Sequence, residues 1–178
     1  MNKRLKHILK LALVLILFNI INQKFYTRID LTKDNRYTIA KVTEDLINKI
    51  DKQLLIKVYL EGDFPSEFKR LQIETRQFLE ELSAKNSRIK VQFIRPDNQR
   101  EKLIKAGMIP SQLTVKEDGI LSNAIIFPWA EILYKNKTNK VSLLTNGTAQ
   151  SQEDQLEKAI ENLEFSFSNA IYELQEEK

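Results

Sequence analysis

The side chains that most often carry catalysis are nearly absent from this sequence. It contains no cysteine, which excludes a disulfide, a thiolate nucleophile, an iron–sulfur cluster and a cysteine zinc site. The one histidine, His7, lies in a basic N-terminal stretch. Everything beyond it lacks the usual general base, and with it any Ser-His-Asp or His-metal constellation. Four glycines, at 62, 107, 119 and 147, are too widely spaced for a dinucleotide fingerprint or a phosphate-binding loop, so ATP hydrolysis by this chain is not expected. Carboxylates remain, but no spacing pairs two of them into an acid/base dyad in a predicted cleft. No catalytic, cofactor-binding or metal-ligating residue is assigned, and no cofactor is expected.

Two short stretches offer binding chemistry instead. Asp63, Phe64 and Pro65 fall at a strand-to-helix turn, where helix N–H groups point outward and could form a binding lip. The plainer reading, which the pattern favours, is a capped helix start with Phe64 and Phe68 in the core. Pro128 and Trp129 form the second stretch. They would make either a partner-contact edge, since Trp is enriched in interface hot spots, or a bulge with Trp129 filling the core beneath it. These two readings weigh equally.

The elements that position these residues follow from hydrophobic periodicity. Phe25–Thr32 alternates as a short strand, and a polar turn over 33–36 follows. Ile39, Val42, Leu46 and Ile50 mark a helix over about 39–50. Leu54–Leu60 is a largely buried strand. Asp63 as cap and Pro65 in the first turn open a helix whose face is Phe68, Leu71, Thr75, Phe78, Leu79 and Leu82. Ile89–Ile94 alternates as a second strand, and Asn98 opens a short helix that stops at Gly107, a natural C′ residue. Strands and turns are expected over 112–144, with Pro128 at a bulge or sheet edge because it lacks an N–H. Leu156, Ala159, Ile160, Leu163, Phe167, Ala170, Ile171 and Leu174 form an unbroken helical stripe, opened by Ser151 and Asp154 as a near capping box.

Strand, helix, strand, helix, then a hairpin region and a closing helix is the order of a thioredoxin-like α/β domain. The expectation is a mixed sheet, the first two strands parallel, with helices covering both faces. That order predicts shape and says little about activity. The thioredoxin active site would lie near Gly62–Pro65, where the absence of cysteine excludes disulfide exchange.

Charge separates the chain into a body and an appendage. Lys and Arg number 28 against 24 Asp and Glu, a net +4, and the pI is near 9.1. Lys3, Arg4, Lys6 and Lys10 carry the surplus; without the first ten residues the chain has 24 of each sign. A balanced body gives no case for nucleic-acid binding. The last 28 residues, 151–178, carry a net −6. Behind the basic residues runs an apolar stretch to Ile21. As a helix, Leu5–Ile21 would be roughly 26 Å long, close to the hydrocarbon thickness of a bilayer. No small-x-small cleavage pattern follows, so an uncleaved anchor is expected rather than a cleaved signal or a soluble helix. The expected organisation is a cytoplasmic basic region over 1–7, a transmembrane signal anchor over 8–22, a juxtamembrane strand and helix over 23–52, and a thioredoxin-like periplasmic domain over 53–178. The positive-inside rule orients it as a single-pass protein of the inner (cytoplasmic) membrane.

Several segments carry a specific resemblance. Asp30–Thr38, Val58–Gln72 (VYLEGDFPSEFKRLQ), Ile126–Ala130 and Leu163–Phe167 look like the N-terminal portion of the gliding-motility-associated ABC-transporter auxiliary family, GldG, of Bacteroidetes. The likeness runs in order from about residue 8 to the end. It implies an inner-membrane protein with a large periplasmic region, often labelled substrate-binding, that works with a membrane permease and a separate ATPase. Its motifs describe no catalytic residue, so none is carried over. Family members continue well past this stretch to a C-terminal membrane helix, which this chain does not show.

Three functions from different classes are consistent with these residues. The leading one is a noncatalytic, membrane-anchored periplasmic component of an ABC transporter complex, with the lipid bilayer, a permease and an ATPase subunit as partners. An anchored ligand- or protein-binding module acting without a transporter is the alternative. An enzyme using carboxylates alone is the third, and the missing His, Cys and Gly-rich loops weigh against it.

Overall fold

The computed structural model describes residues 7, 10–14, 39–62, 64–117, 120–144 and 151–176. The chain divides into two units, Met1–Arg36 and Tyr37–Lys178. In the first, His7 and residues 10–14 are helical, and Leu11, Leu13 and Val14 are exposed. Most of the anchor expected over 8–22 lies outside the described residues, as do the strand expected over 25–32 and its turn. Among the described residues, no helix is long and apolar enough to cross a membrane.

The second unit runs α1 (Lys41–Asn48), β1 (Leu54–Val58), α2 (Ser66–Lys85), β2 (Ile89–Phe93), α3 (Arg100–Lys105), β3 (Ser111–Glu117), β4 (Ile120–Ile126), β5 (Trp129–Tyr134), β6 (Lys137–Ser142), α4 (Gln152–Glu161) and α5 (Leu163–Gln175). It is a mixed α/β fold. Four strands form one sheet in the order β2-β1-β5-β6, and β3 and β4 form a separate two-stranded ribbon. β1 pairs parallel with β2, Leu54 opposite Ile89 and Val58 opposite Phe93. On its other side β1 pairs antiparallel with β5, which pairs antiparallel with β6.

Alternation along the strands decides which side of the sheet holds the main core. Leu54, Ile56 and Val58 of β1 and Ala130, Ile132 and Tyr134 of β5 are buried on one side. There they meet Phe68, Leu71, Leu79 and Leu82 of α2 and Phe167, Ile171 and Leu174 of α5 in a single cluster. Burying one such Leu or Phe contributes about 1.5–3 kcal/mol, so these two helices hold most of the fold. The Phe78 and Phe167 rings meet at a 42° tilt with centroids 5.7 Å apart. A buried amide ties α1 in: Asn86 donates from Nδ2 to the Ile47 carbonyl at 2.7 Å and accepts from the Arg88 N–H.

The opposite side carries α3 and a smaller core. Leu103 and Met108 pack with Tyr59 and Phe127 in a second, smaller core. α3 ends as expected: Gly107 takes φ +84°, with Gly107 N–H donating to Ile104 and Met108 N–H to Leu103, a Schellman closure. Further along that face Lys57 and Glu131 form a partly exposed ion pair at 3.6 Å.

Three local expectations also change. Pro65 is the N-cap residue of α2 rather than part of its first turn, and among the described residues no side chain caps that end; Asp63 lies outside them. The terminal stripe is continuous in burial but the helix is not. Asn162 sits at φ −92°, ψ 2° between α4 and α5, and its Nδ2 donates back to the Lys158 carbonyl at 2.7 Å, competing with the helical ladder. Ser151 does cap α4, its Oγ accepting from the Asp154 N–H at 3.1 Å. Finally, Phe127-Pro128 is the joint where the chain leaves the ribbon and enters the middle of the four-stranded sheet. Pairing resumes at once, the Pro128 carbonyl accepting from the Leu143 N–H at 2.7 Å.

Candidate functional site

Parallel pairing brings the carboxyl ends of β1 and β2 side by side. The chain leaves β1 toward α2 on the main-core side and leaves β2 toward α3 on the other side. Connections that part in this way open a crevice at the strand ends, the usual ligand position in open α/β sheets. A cleft of about 270 Å³ lies there, lined by Glu61, Gly62 and Phe64 after β1, Arg95–Asp97 and Arg100 after β2, and Ile125–Phe127 at the ribbon's base. A larger hollow of about 750 Å³ beside it is lined by polar residues alone, between Asp97 and Lys105. The smaller cleft is the better candidate because it combines apolar walls with convergent charge.

Its floor and rim are specified locally. Gly62 takes φ +154°, a conformation that favours glycine, and a Cβ there would meet the Phe64 ring at 3.4 Å. Phe64 is half-buried and also packs against the main core, so the turn serves both readings: Phe68 is a core residue, while Phe64 is shared between core and cleft. Pro96 is buried. Glu61 accepts from Arg76 at 2.6 Å, and the Arg76 guanidinium lies 3.7 Å from the centre of the Phe93 ring. Asp97 is held by Arg100 at 2.8 Å and by Arg95 at 3.5 Å. Both cleft carboxylates are therefore engaged by guanidinium groups. The cleft thus brings the half-buried Phe64 ring to the same lining as the Arg95 and Arg100 guanidinium groups.

The second predicted stretch points elsewhere. Pro128 is buried. Trp129 packs against the smaller core and donates from Nε1 to the Ile109 carbonyl at 2.8 Å, which favours its core reading. Phe64 of the first stretch and Phe127, which precedes the second, line the same cleft. Pro65, Pro128 and Trp129 do not line it. Sequence reasoning missed Arg95, Asp97 and Arg100. Their placement depends on the Val58–Phe93 register, which no local pattern announces.

Among the groups displaced from their ordinary pKa are Tyr59 and Asp51. Burial, reinforced by the Glu131 carboxylate that accepts from its hydroxyl at 3.5 Å, pushes the Tyr59 phenol up to about 12. The Tyr134 hydroxyl donates to Asp51, and with Lys135 at 3.2 Å it holds that carboxyl below its usual range. Neither lines the cleft. Among the described residues, no group of three His, Cys, Asp or Glu could hold a metal ion.

Residues 33–133 match a family described as a domain of unknown function, DUF7088. The chain belongs to that family. The DUF7088 stretch contains every cleft residue and ends within β5, so β6, α4 and α5 lie beyond it. Over 174 residues the chain is 25% identical to an uncharacterized protein of Borreliella burgdorferi, covering 97% of this chain and 32% of that one. It thus spans about a third of the length of the curated relative it matches. No solved structure matches.

Proposed function

We propose that the chain is a noncatalytic, membrane-anchored periplasmic component of an ABC transporter complex associated with gliding motility, and that its folded unit is a thioredoxin-like binding domain. The cleft carries this reading. It stands at the start of α2, where a thioredoxin-like domain would place its thiols, and this chain places Phe64 and Pro65 there and has no cysteine anywhere. Its carboxylates are engaged by arginines, which suits binding better than proton transfer. The sheet order β2-β1-β5-β6, with β5 antiparallel to its neighbours, supports the thioredoxin-like assignment. The basic N-terminus and apolar stretch support the anchor and its orientation, and the resemblance to GldG supports the permease and ATPase as partners. A reading as an anchored ligand- or protein-binding module without a transporter draws on the same cleft, whose volume nears that of small-molecule sites.

Photo-crosslinking from Phe64 in intact membranes, followed by isolation of the chain, tests the proposal. The permease and ATPase subunits are expected to co-isolate, and adducts are expected to fall when Arg100 is replaced by Glu. Recovery of the chain as a soluble exported protein, or from membranes without either subunit, would sink the transporter reading. In the latter case, a small ligand that raises the melting temperature saturably would favour the independent module.

A further inference from the structure

Beyond the first ten residues the chain carries equal numbers of basic and acidic side chains, but the surroundings of the cleft do not. Its lining includes Glu61, Arg95, Asp97 and Arg100, and Arg76 bonds Glu61, so three guanidinium groups stand against two carboxylates. The neighbouring hollow shares Asp97 and Arg100 with the cleft and adds Lys102 and Lys105 against Glu101. Positive charge is therefore in surplus across both openings. The carboxylates are also already engaged: Glu61 by Arg76 at 2.6 Å, and Asp97 by Arg100 and Arg95, one oxygen to each. A cation would find no unshared carboxylate here and would add to the surplus. An anion meets the opposite situation. A guanidinium has five N–H donors, and Arg100 gives Asp97 only its Nη2 contact while Arg95 approaches through Nε. Their side chains are 49% and 58% exposed, so a ligand can reach both.

We propose that the cleft binds a small organic acid with one carboxylate and a compact apolar body. The carboxylate meets Arg95 and Arg100, and the body lies against Phe64 and Ile125. Asp97 already shows that this pair of arginines accommodates a carboxylate, and charge-assisted bonds from guanidinium to carboxylate are among the stronger hydrogen bonds. The apolar part follows from the rest of the lining. Phe64 is half-buried and Ile125 is 54% exposed, so an inorganic anion would use the arginines and leave this apolar surface in water. The volume, about 270 Å³, lies just under the usual range of about 300–1,000 Å³ for small-molecule sites, which limits the body to a compact one. The inference rests on the reading of this cleft as the binding site of the folded unit and adds the class of ligand it takes.

Calorimetric titration of the full chain in detergent, at neutral pH and low salt, tests the proposal with three probes. Hydrocinnamate has both the carboxylate and the apolar body and should bind saturably. Its neutral amide has the same shape without the charge, and acetate has the charge without the body; each should bind about tenfold more weakly or worse. Replacing both arginines, Arg95→Gln with Arg100→Gln, should weaken hydrocinnamate by about tenfold or more and leave the amide unchanged. Both side chains are half-exposed, so an unchanged melting temperature separates a lost contact from a lost fold. Ile125→Ser gives a second check, since it should weaken hydrocinnamate but not acetate. Hydrocinnamate that fails to saturate, an amide that binds equally well, or binding indifferent to both arginines would each overturn the proposal. Any of these, alongside capture of the permease by crosslinking from Phe64, would remove the organic acid and leave the transporter reading in place. Saturable hydrocinnamate binding with no subunit captured would do the reverse.

Discussion

Thr75 lies in the middle of α2, is fully buried, and its Oγ1 has no hydrogen-bond partner among the described residues. Its neighbours along the helix face, Leu71, Leu79 and Leu82, are core residues. A hydroxyl taken out of water without a partner costs about 1–3 kcal/mol. Thr75→Val replaces it with a methyl of nearly the same shape, and the two residues have similar helix propensity, so the backbone term cancels. The substitution is expected to stabilise the unit by about 1–2 kcal/mol. At about 2–4 °C per kcal/mol for a chain of this size, the melting temperature should rise by several degrees. Thr75→Ser keeps the orphan hydroxyl and loses the methyl, so it should destabilise by about 1 kcal/mol. Urea titration checks both, with an unchanged m-value showing that the transition itself is the same. A loss of stability in Thr75→Val would refute the reasoning, because it would mean that the hydroxyl has a partner in solution.

Three further substitutions probe the core and its titration. Phe167 is fully buried and meets Phe78 while Phe165, two residues away, is 70% exposed; Phe167→Ala should cost about 3–5 kcal/mol and Phe165→Ala within about 0.5 kcal/mol, and equal losses in denaturant midpoint would contradict the assignment of the α5 face. For Tyr59, the folded phenol titrates near 12 against an ordinary 10. The neutral form is thus favoured by folding, so its contribution is complete below pH 10 and is lost as the pH rises from 10 through about 12. Tyr59→Phe should remove that alkaline loss and the late component of the ultraviolet tyrosine titration, and a profile unchanged by the substitution would show that another group is responsible.

Some of this protein can be read directly from local pattern. The apolar spacing of Phe68, Leu71, Thr75, Phe78, Leu79 and Leu82 places α2, and Thr75 and Leu82 are indeed buried with their neighbours. A β-rich apolar run places β1 and strict alternation places β2, and Gly107 marks the end of α3 because only a residue tolerant of positive φ closes that turn cheaply. The misread elements share a cause. The break at Asn162 leaves the hydrophobic stripe intact, so periodicity cannot reveal it. Pro128 correctly signals an interruption, but whether a strand bulges or changes sheets there depends on which strands lie beside it.

The same division holds for the candidate site. Gly62, Phe64 and the helix start are local, and their residue types alone mark a turn with an apolar side chain at its tip. That chemistry of thiols and histidine is denied to the folded unit is likewise a matter of composition. What tertiary structure decided is company. Arg95, Asp97 and Arg100 reach Phe64 because β1 and β2 pair in parallel with Val58 opposite Phe93, and Phe127 reaches it because β5 inserts between β1 and β6. Trp129, by the same insertion, turns toward Tyr59 and Met108 instead. Each residue's own tendency is set by its side chain and its near neighbours, but strand register is a long-range balance of buried area and hydrogen bonds, and that balance alone determines which turns meet.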